Sequence, residues 1–159
     1  MHHLKLTLVL TMFLFAGSTF AQAGGALNPL PATPTEPSNL AEAAGRYIGA
    51  IEQLHVLKST RCGYALKREI PSYEKVVELE IQPAFPQQQR NEVAKALLGM
   101  KQDITRQGQN VFDSFYQYYT KIEKQDNNTA CGFITGAFIT LRKLSAEAFN
   151  RQISKRGQK

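Results

Sequence analysis

Thr129–Phe149 reads TACGFITGAFITLRKLSAEAF, and the fold turns on how this stretch is read. Cys131, Ile134, Phe138 and Leu141 recur at steps of three and four, which places them on one face of a helix. Gly132 and Gly136 form a small-x-x-x-small row beside that face, and Asn128 or Thr129 is positioned to cap the helix start. The stretch carries one of only two cysteines. Its opening, Thr129-Ala130-Cys131-Gly132-Phe133, echoes Thr60-Arg61-Cys62-Gly63-Tyr64, so T-x-C-G-aromatic occurs twice and uses both cysteines. We read Cys62 and Cys131 as one disulfide, because an even cysteine count without C-x-x-C spacing suits a structural bridge better than a redox or zinc site.

Cys62 leads back to the first helix. Leu40, Ala44, Tyr47, Ile51 and Leu54 share a helical face, and Cys62 lies three turns beyond Ile51 on the same stripe. Asn39 and Glu42 have the spacing of a capping box, and Ala41, Gly45 and Gly49 make a second small-residue row. The helix is expected to fail between Gly63 and Pro71. A bond from its end to the start of the last helix requires the two to run antiparallel, with axes about 10 Å apart. The glycine after each cysteine reads as room beside the bridge. In the chain-entropy model, closing so long a loop stabilises by about 4 kcal/mol.

Between these helices, Ser72–Gln82 predicts a short helix capped by Ser72, interrupted by Pro83. Pro86 suits the first residue of the next helix. Val93, Leu97, Met100, Ile104, Gly108, Val111, Phe115, Tyr118 and Ile122 then recur with the 3.6-residue period of a helix. An unbroken helix from Pro86 to Glu123 would be about 57 Å long, so a break near Gly108 is expected. The fold expected is all-α, an up-and-down bundle of four to five helices pinned by one disulfide.

The N-terminus has the three parts of a secretory signal: His2, His3 and Lys5, then the apolar Leu6–Phe15, then the small-x-small Ala21-Gln22-Ala23. Residues 1–23 are read as a signal cleaved after Ala23, 24–37 as a flexible Pro/Gly-rich leader, 38–153 as the bundle, and 154–159 as a fraying basic tail. A periplasmic or secreted location follows, an oxidising setting in which a disulfide persists.

Residues able to do chemistry are few. His55 is the only histidine after signal removal, and bridged cysteines leave no thiol nucleophile. Glu52-x-x-His55 has di-iron spacing, but no second E-x-x-H exists to complete such a site. Glu74, Glu78 and Glu80 read as a solvated helical face. No enzyme, metal or cofactor is expected.

Tyr116 and Tyr119 fall partly off the stripe carrying Phe115, Tyr118 and Ile122, which makes them candidate partner-contact residues. The formal charge of +6 is concentrated late, and Arg151, Lys155 and Arg156 are candidate contacts for an anionic envelope component. So modest an excess argues against nucleic acid. The small-residue rows fit either one bundle or a homodimer.

These features favour a non-enzymatic module that binds a protein partner, with a structural or adsorbing envelope protein as the alternative. In size, signal, helical architecture and single bridge, the chain resembles periplasmic immunity proteins that block cell-wall hydrolases. The resemblance is one of architecture and rests on no residue motif. It implies an inhibitory loop, for which Lys124–Asn128 and Gln82–Gln89 are the natural candidates.

Overall fold

The computed structural model describes residues 35–157. Residues 1–34, which include the stretch read as a signal and most of that read as a leader, lie outside the described residues. Five α-helices follow in order: α1 (Leu40–Ser59), α2 (Tyr73–Val76), α3 (Arg90–Gly99), α4 (Lys101–Gln117) and α5 (Asn127–Arg156). Wider π-type turns extend α2 over Val77–Ile81 and α4 over Tyr118–Ile122. No helix among the described residues is long and apolar enough to cross a membrane.

The side-chain contacts give the directions. His55 and Tyr47 of α1 meet Pro71 and Glu80 before and after α2, so α2 runs against α1. The α3–α4 arm returns parallel to α1, pairing Thr105 with Glu52 and setting Gly108 beside Val56. On α5, Cys131 meets Cys62 and Phe149 stacks on Tyr47, so α5 is antiparallel to α1. The result is an all-α, up-down-up-down bundle whose third arm is split into α3 and α4, pinned by the Cys62–Cys131 disulfide. The two Cα atoms are 5.1 Å apart, and both cysteines are buried.

The core joins residues of the expected stripes to Ile48, Leu57 and Phe112, which lie off them. Ile48, Ile51 and Leu57 of α1, Val76, Val77 and Ile81 of the α2 arm, Phe112 and Phe115 of α4, and Ile134 and Phe138 of α5 are all buried. Truncating one such residue typically costs about 2–5 kcal/mol.

Several local expectations are corrected. α1 stops at Ser59, so Cys62 lies beyond the helix. Thr60 ends it by donating its hydroxyl to Leu57 O at 2.7 Å and receiving Cys62 N–H on the same oxygen. Pro86 has extended backbone and precedes a 3-10 turn, Gln87–Gln89, that leads into α3. The long arm breaks at Met100, not near Gly108. The buried Tyr73 hydroxyl donates to Leu97 O at 2.8 Å, a carbonyl at the end of α3 that also accepts the Met100 N–H at 3.2 Å. Gly108 instead remains helical and buried. The π-type turn after α4 shifts the helical phase, so Ile122 is 57% exposed and Tyr118 only half-buried, although both belong to the sequence stripe.

Asp126 caps α5, accepting from Asn128 and Thr129 N–H, in place of Asn128 or Thr129. α5 also continues through Arg156, with Ser154 Oγ donating to Asn150 O, where fraying from Ser154 was expected. Gly49, Gly132 and Gly136 do not serve as close-approach points within the bundle: a Cβ at any of them would meet nothing within 4 Å. At the start of the described chain, Pro37 is buried, and its carbonyl accepts from Gln152 Nε2 at 2.7 Å.

Candidate functional site

The disulfide end of the bundle is built from three pieces of chain. The turn after α1 carries Arg61 and Tyr64, the end of the α4 arm carries Tyr116, Tyr118 and Tyr119, and the first turns of α5 carry Asn127, Asn128 and Phe133. Gly63 lets the first turn form. A Cβ there would stand 2.2 Å from Lys58 O, so the glycine is required by the end of α1 and not by space at the bridge.

Aromatic contacts lock the three pieces together. Tyr119 stacks on Phe133 with ring centroids 5.2 Å apart, packs against Phe115, and meets Tyr118 edge-on. Tyr116 stacks on Phe112, and the Arg61 guanidinium lies 4.8 Å above its ring, within cation–π range. The phenol groups are also held: Tyr116 donates to Asn127 Oδ1 at 2.6 Å, Tyr64 to Asn128 Oδ1 at 2.7 Å, and Tyr118 to Glu123 Oε1 at 2.6 Å. The hydrogen bond to Glu123 is the main cause that raises the Tyr118 pKa. Hydrogen bonds from Thr129 and the α5 N-terminus hold the Asp126 carboxyl below its usual range.

The partner-contact candidates Tyr116 and Tyr119 therefore lie together on this surface, half-buried. Two members were missed. Tyr64 is 60% exposed and Phe133 51% exposed, and they are the aromatic residues of the repeated T-x-C-G-aromatic sequence. The repeat is the sequence signal that marks them, beside the bridge that it also marks. Lys124 begins the connection to α5 with a positive φ of 55°, and Gln125 N–H donates back to Tyr119 O at 2.9 Å.

The basic candidates stand elsewhere and are engaged within the chain. Arg151 Nη2 lies 3.0 Å and Lys155 Nζ 3.6 Å from Glu36, while Arg156 lies over the Phe85 ring. The hydrogen bond from Arg151 is the main reason the Glu36 carboxyl titrates below its usual range.

Other polar side chains noted in the sequence are paired within the chain. His55 Nε2 is 2.9 Å from Pro71 O, Glu74 pairs with Lys101 at 2.6 Å, and Glu80 accepts the Tyr47 hydroxyl at 2.7 Å. Glu52, noted in the sequence only for its E-x-x-H spacing with His55, is buried with one oxygen on Thr105 and the other unpartnered. Tyr47 and Glu80 line a shallow cleft of about 230 Å³ with Ala146, Phe149, Asn150 and Ile153. No group of three or more His, Cys, Asp or Glu side chains able to hold a metal ion occurs among the described residues.

Comparison of the chain with protein-family models, curated proteins and solved structures finds no match.

Proposed function

We propose that this chain is an exported, non-enzymatic protein-binding module of the inhibitor or immunity type, acting in the periplasm or outside the cell, and that it engages its partner through the disulfide end. The observation that carries the reading is the placement of Tyr64 and Phe133, each more than half exposed, on a base fixed by a disulfide, aromatic stacking and three phenol hydrogen bonds. Large aromatic side chains on a rigid support bury much area at small entropic cost, which is what binding anchors require. The export element of the reading rests on the sequence of residues 1–23.

Adsorption to an anionic envelope surface is the less favoured reading. Arg151 and Lys155 already share Glu36, which reduces the free positive charge that the C-terminal turn of α5 presents.

Affinity capture from envelope extract and secreted material tests the proposal, using the disulfide-bonded protein beside its Phe133→Ala and Tyr64→Ala variants, each washed at low and high salt. One stoichiometric protein that survives high salt and is lost with the variants is the expected result. Salt-labile recovery of lipid or polymer that the variants leave unchanged would overturn it.

A further inference from the structure

We propose that a second copy of this chain covers the outer face of α5, in an antiparallel contact whose two-fold axis passes beside Gly136. The contact goes beyond the partner-binding reading and shares only Phe133 with the surface described for it.

The first half of α5 is apolar on every side. No charged residue occurs from Thr129 to Leu141, although only one side of this stretch packs on the core. Cys131, Ile134 and Phe138 are buried there, while Gly132, Phe133, Gly136, Ile139 and Thr140 form an exposed stripe at steps of three and four residues. A surface helix normally turns charged and polar residues outward, and one that is apolar all round is normally covered all round.

The stripe fits a copy of itself. Phe133 and Ile139 stand three residues before and after Gly136, on opposite sides of it, and Gly132 and Thr140 stand four before and after. An isologous contact requires a self-complementary surface of this kind. Pairing α5 antiparallel with its own copy about Gly136 sets Ile139 of each copy over Gly132 of the other, and Phe133 beside Thr140, so a large residue faces a small one throughout. A Cβ at Gly132 or Gly136 would meet nothing of its own chain, which leaves both glycines open for the approaching helix at an axis separation of about 8 Å.

Charge agrees with the same register. Lys143 and Glu147 of one copy come level with residues 129 to 125 of the other, the stretch that carries Asp126 and Lys124. Opposite signs therefore meet at both ends, and the apolar middle has no charge to desolvate. Within one chain, Lys143 and Glu147 are exposed and only 4.0 Å apart at their nearest, a weak pair that is free to exchange partners. The stripe from Gly132 to Leu144 is about 18 Å long. That is less than a standard interface requires, so the dimer is weak and depends on concentration.

Sedimentation velocity of the disulfide-bonded protein, from about 1 μM to about 1 mM, tests the pairing. A monomer–dimer equilibrium within this range is expected. Ile139→Asp places an unpaired charge at two symmetric points of the contact and should raise the dissociation constant at least about tenfold. Gly136→Ala should raise it at least about threefold by holding the helices apart. Its methyl meets nothing in the monomer, so this loss cannot come from unfolding. Tyr64→Ala and Leu79→Asp, at exposed positions outside the contact, should leave it unchanged.

A monomer at every concentration, or a dimer that Ile139→Asp and Gly136→Ala leave intact, would overturn the α5 pairing. A dimer lost in Tyr64→Ala but kept in Ile139→Asp would move the contact to the disulfide end and overturn it as well. Failure of the partner-binding reading is recognised separately, by capture that Tyr64→Ala leaves unchanged.

Discussion

Gly108 of α4 packs directly against Val56 of α1, so closely that an added Cβ would lie 3.2 Å from Val56 Cγ2. Val56 is buried in the core and, as a β-branched residue in a helix, has essentially one rotamer, so it cannot step aside. Gly108→Ala should therefore lower stability by about 1 kcal/mol despite the better helix propensity of alanine. Gly136→Ala places its methyl in open space and should raise stability by about 0.5–1 kcal/mol. Urea unfolding of the two variants checks the opposite signs. Stabilisation by Gly108→Ala would show that the α1–α4 contact is looser than the geometry indicates.

Gly63→Ala should be much more damaging than either. Its Cβ would collide with Lys58 O at 2.2 Å, and the obstacle is backbone, so relief requires moving the turn that delivers Cys62. A loss of about 2–3 kcal/mol is expected in urea unfolding. Gly132→Ala, at the matching position after Cys131, meets nothing and should not destabilise.

Removing the bridge tests how far it supports the bundle. Cys62→Ala with Cys131→Ala releases a 69-residue separation and should cost about 2–4 kcal/mol. Because the core draws on all four arms, the bridge-free variant should keep its helical circular dichroism at moderate temperature while unfolding earlier. Unchanged unfolding would mean that the bridge adds nothing to packing.

Stability should fall under alkaline conditions. Burial, then the hydrogen bond to Glu80, raises the Tyr47 pKa from 10.0 to about 12. Tyr73 is shifted in the same direction, first by burial and then by the charges of Glu52 and Glu74. The folded state therefore holds these protons more tightly than the unfolded state. Their stabilising effect is complete below pH 10 and is lost as pH rises through about 12 for Tyr47. Urea titrations followed by circular dichroism at several alkaline pH values should show this decline, and Tyr47→Phe should flatten it. An equal decline in Tyr47→Phe would remove Tyr47 as a cause.

Helix identity was legible in the sequence because it depends on local spacing. The runs from Leu40, from Ser72 and from Cys131 each repeat their apolar residues every three or four positions, and Asn39 and Ser72 cap where expected. The paired T-x-C-G-aromatic segments also pointed to the correct bridge. The break in the third arm was misplaced because its partner is remote: Tyr73, twenty-four positions before Leu97, supplies the hydroxyl at the end of α3. Gly108 looked like a weak point in its own helix, but its lack of a side chain is used by Val56 of another.

The candidate surface divides in the same way. Tyr116 and Tyr119 could be picked out because they stand off a periodic stripe, a property of one helix. The exposure of Tyr64 and Phe133 depends on how three chain segments meet at the disulfide, and the engagement of Arg151 and Lys155 by Glu36 joins residues from opposite ends of the described chain. Local periodicity and capping determined the helices, and the two cysteines determined their pinning. Only tertiary packing decided which aromatic residues face outward and which cations remain unpaired, because both depend on neighbours distant in sequence.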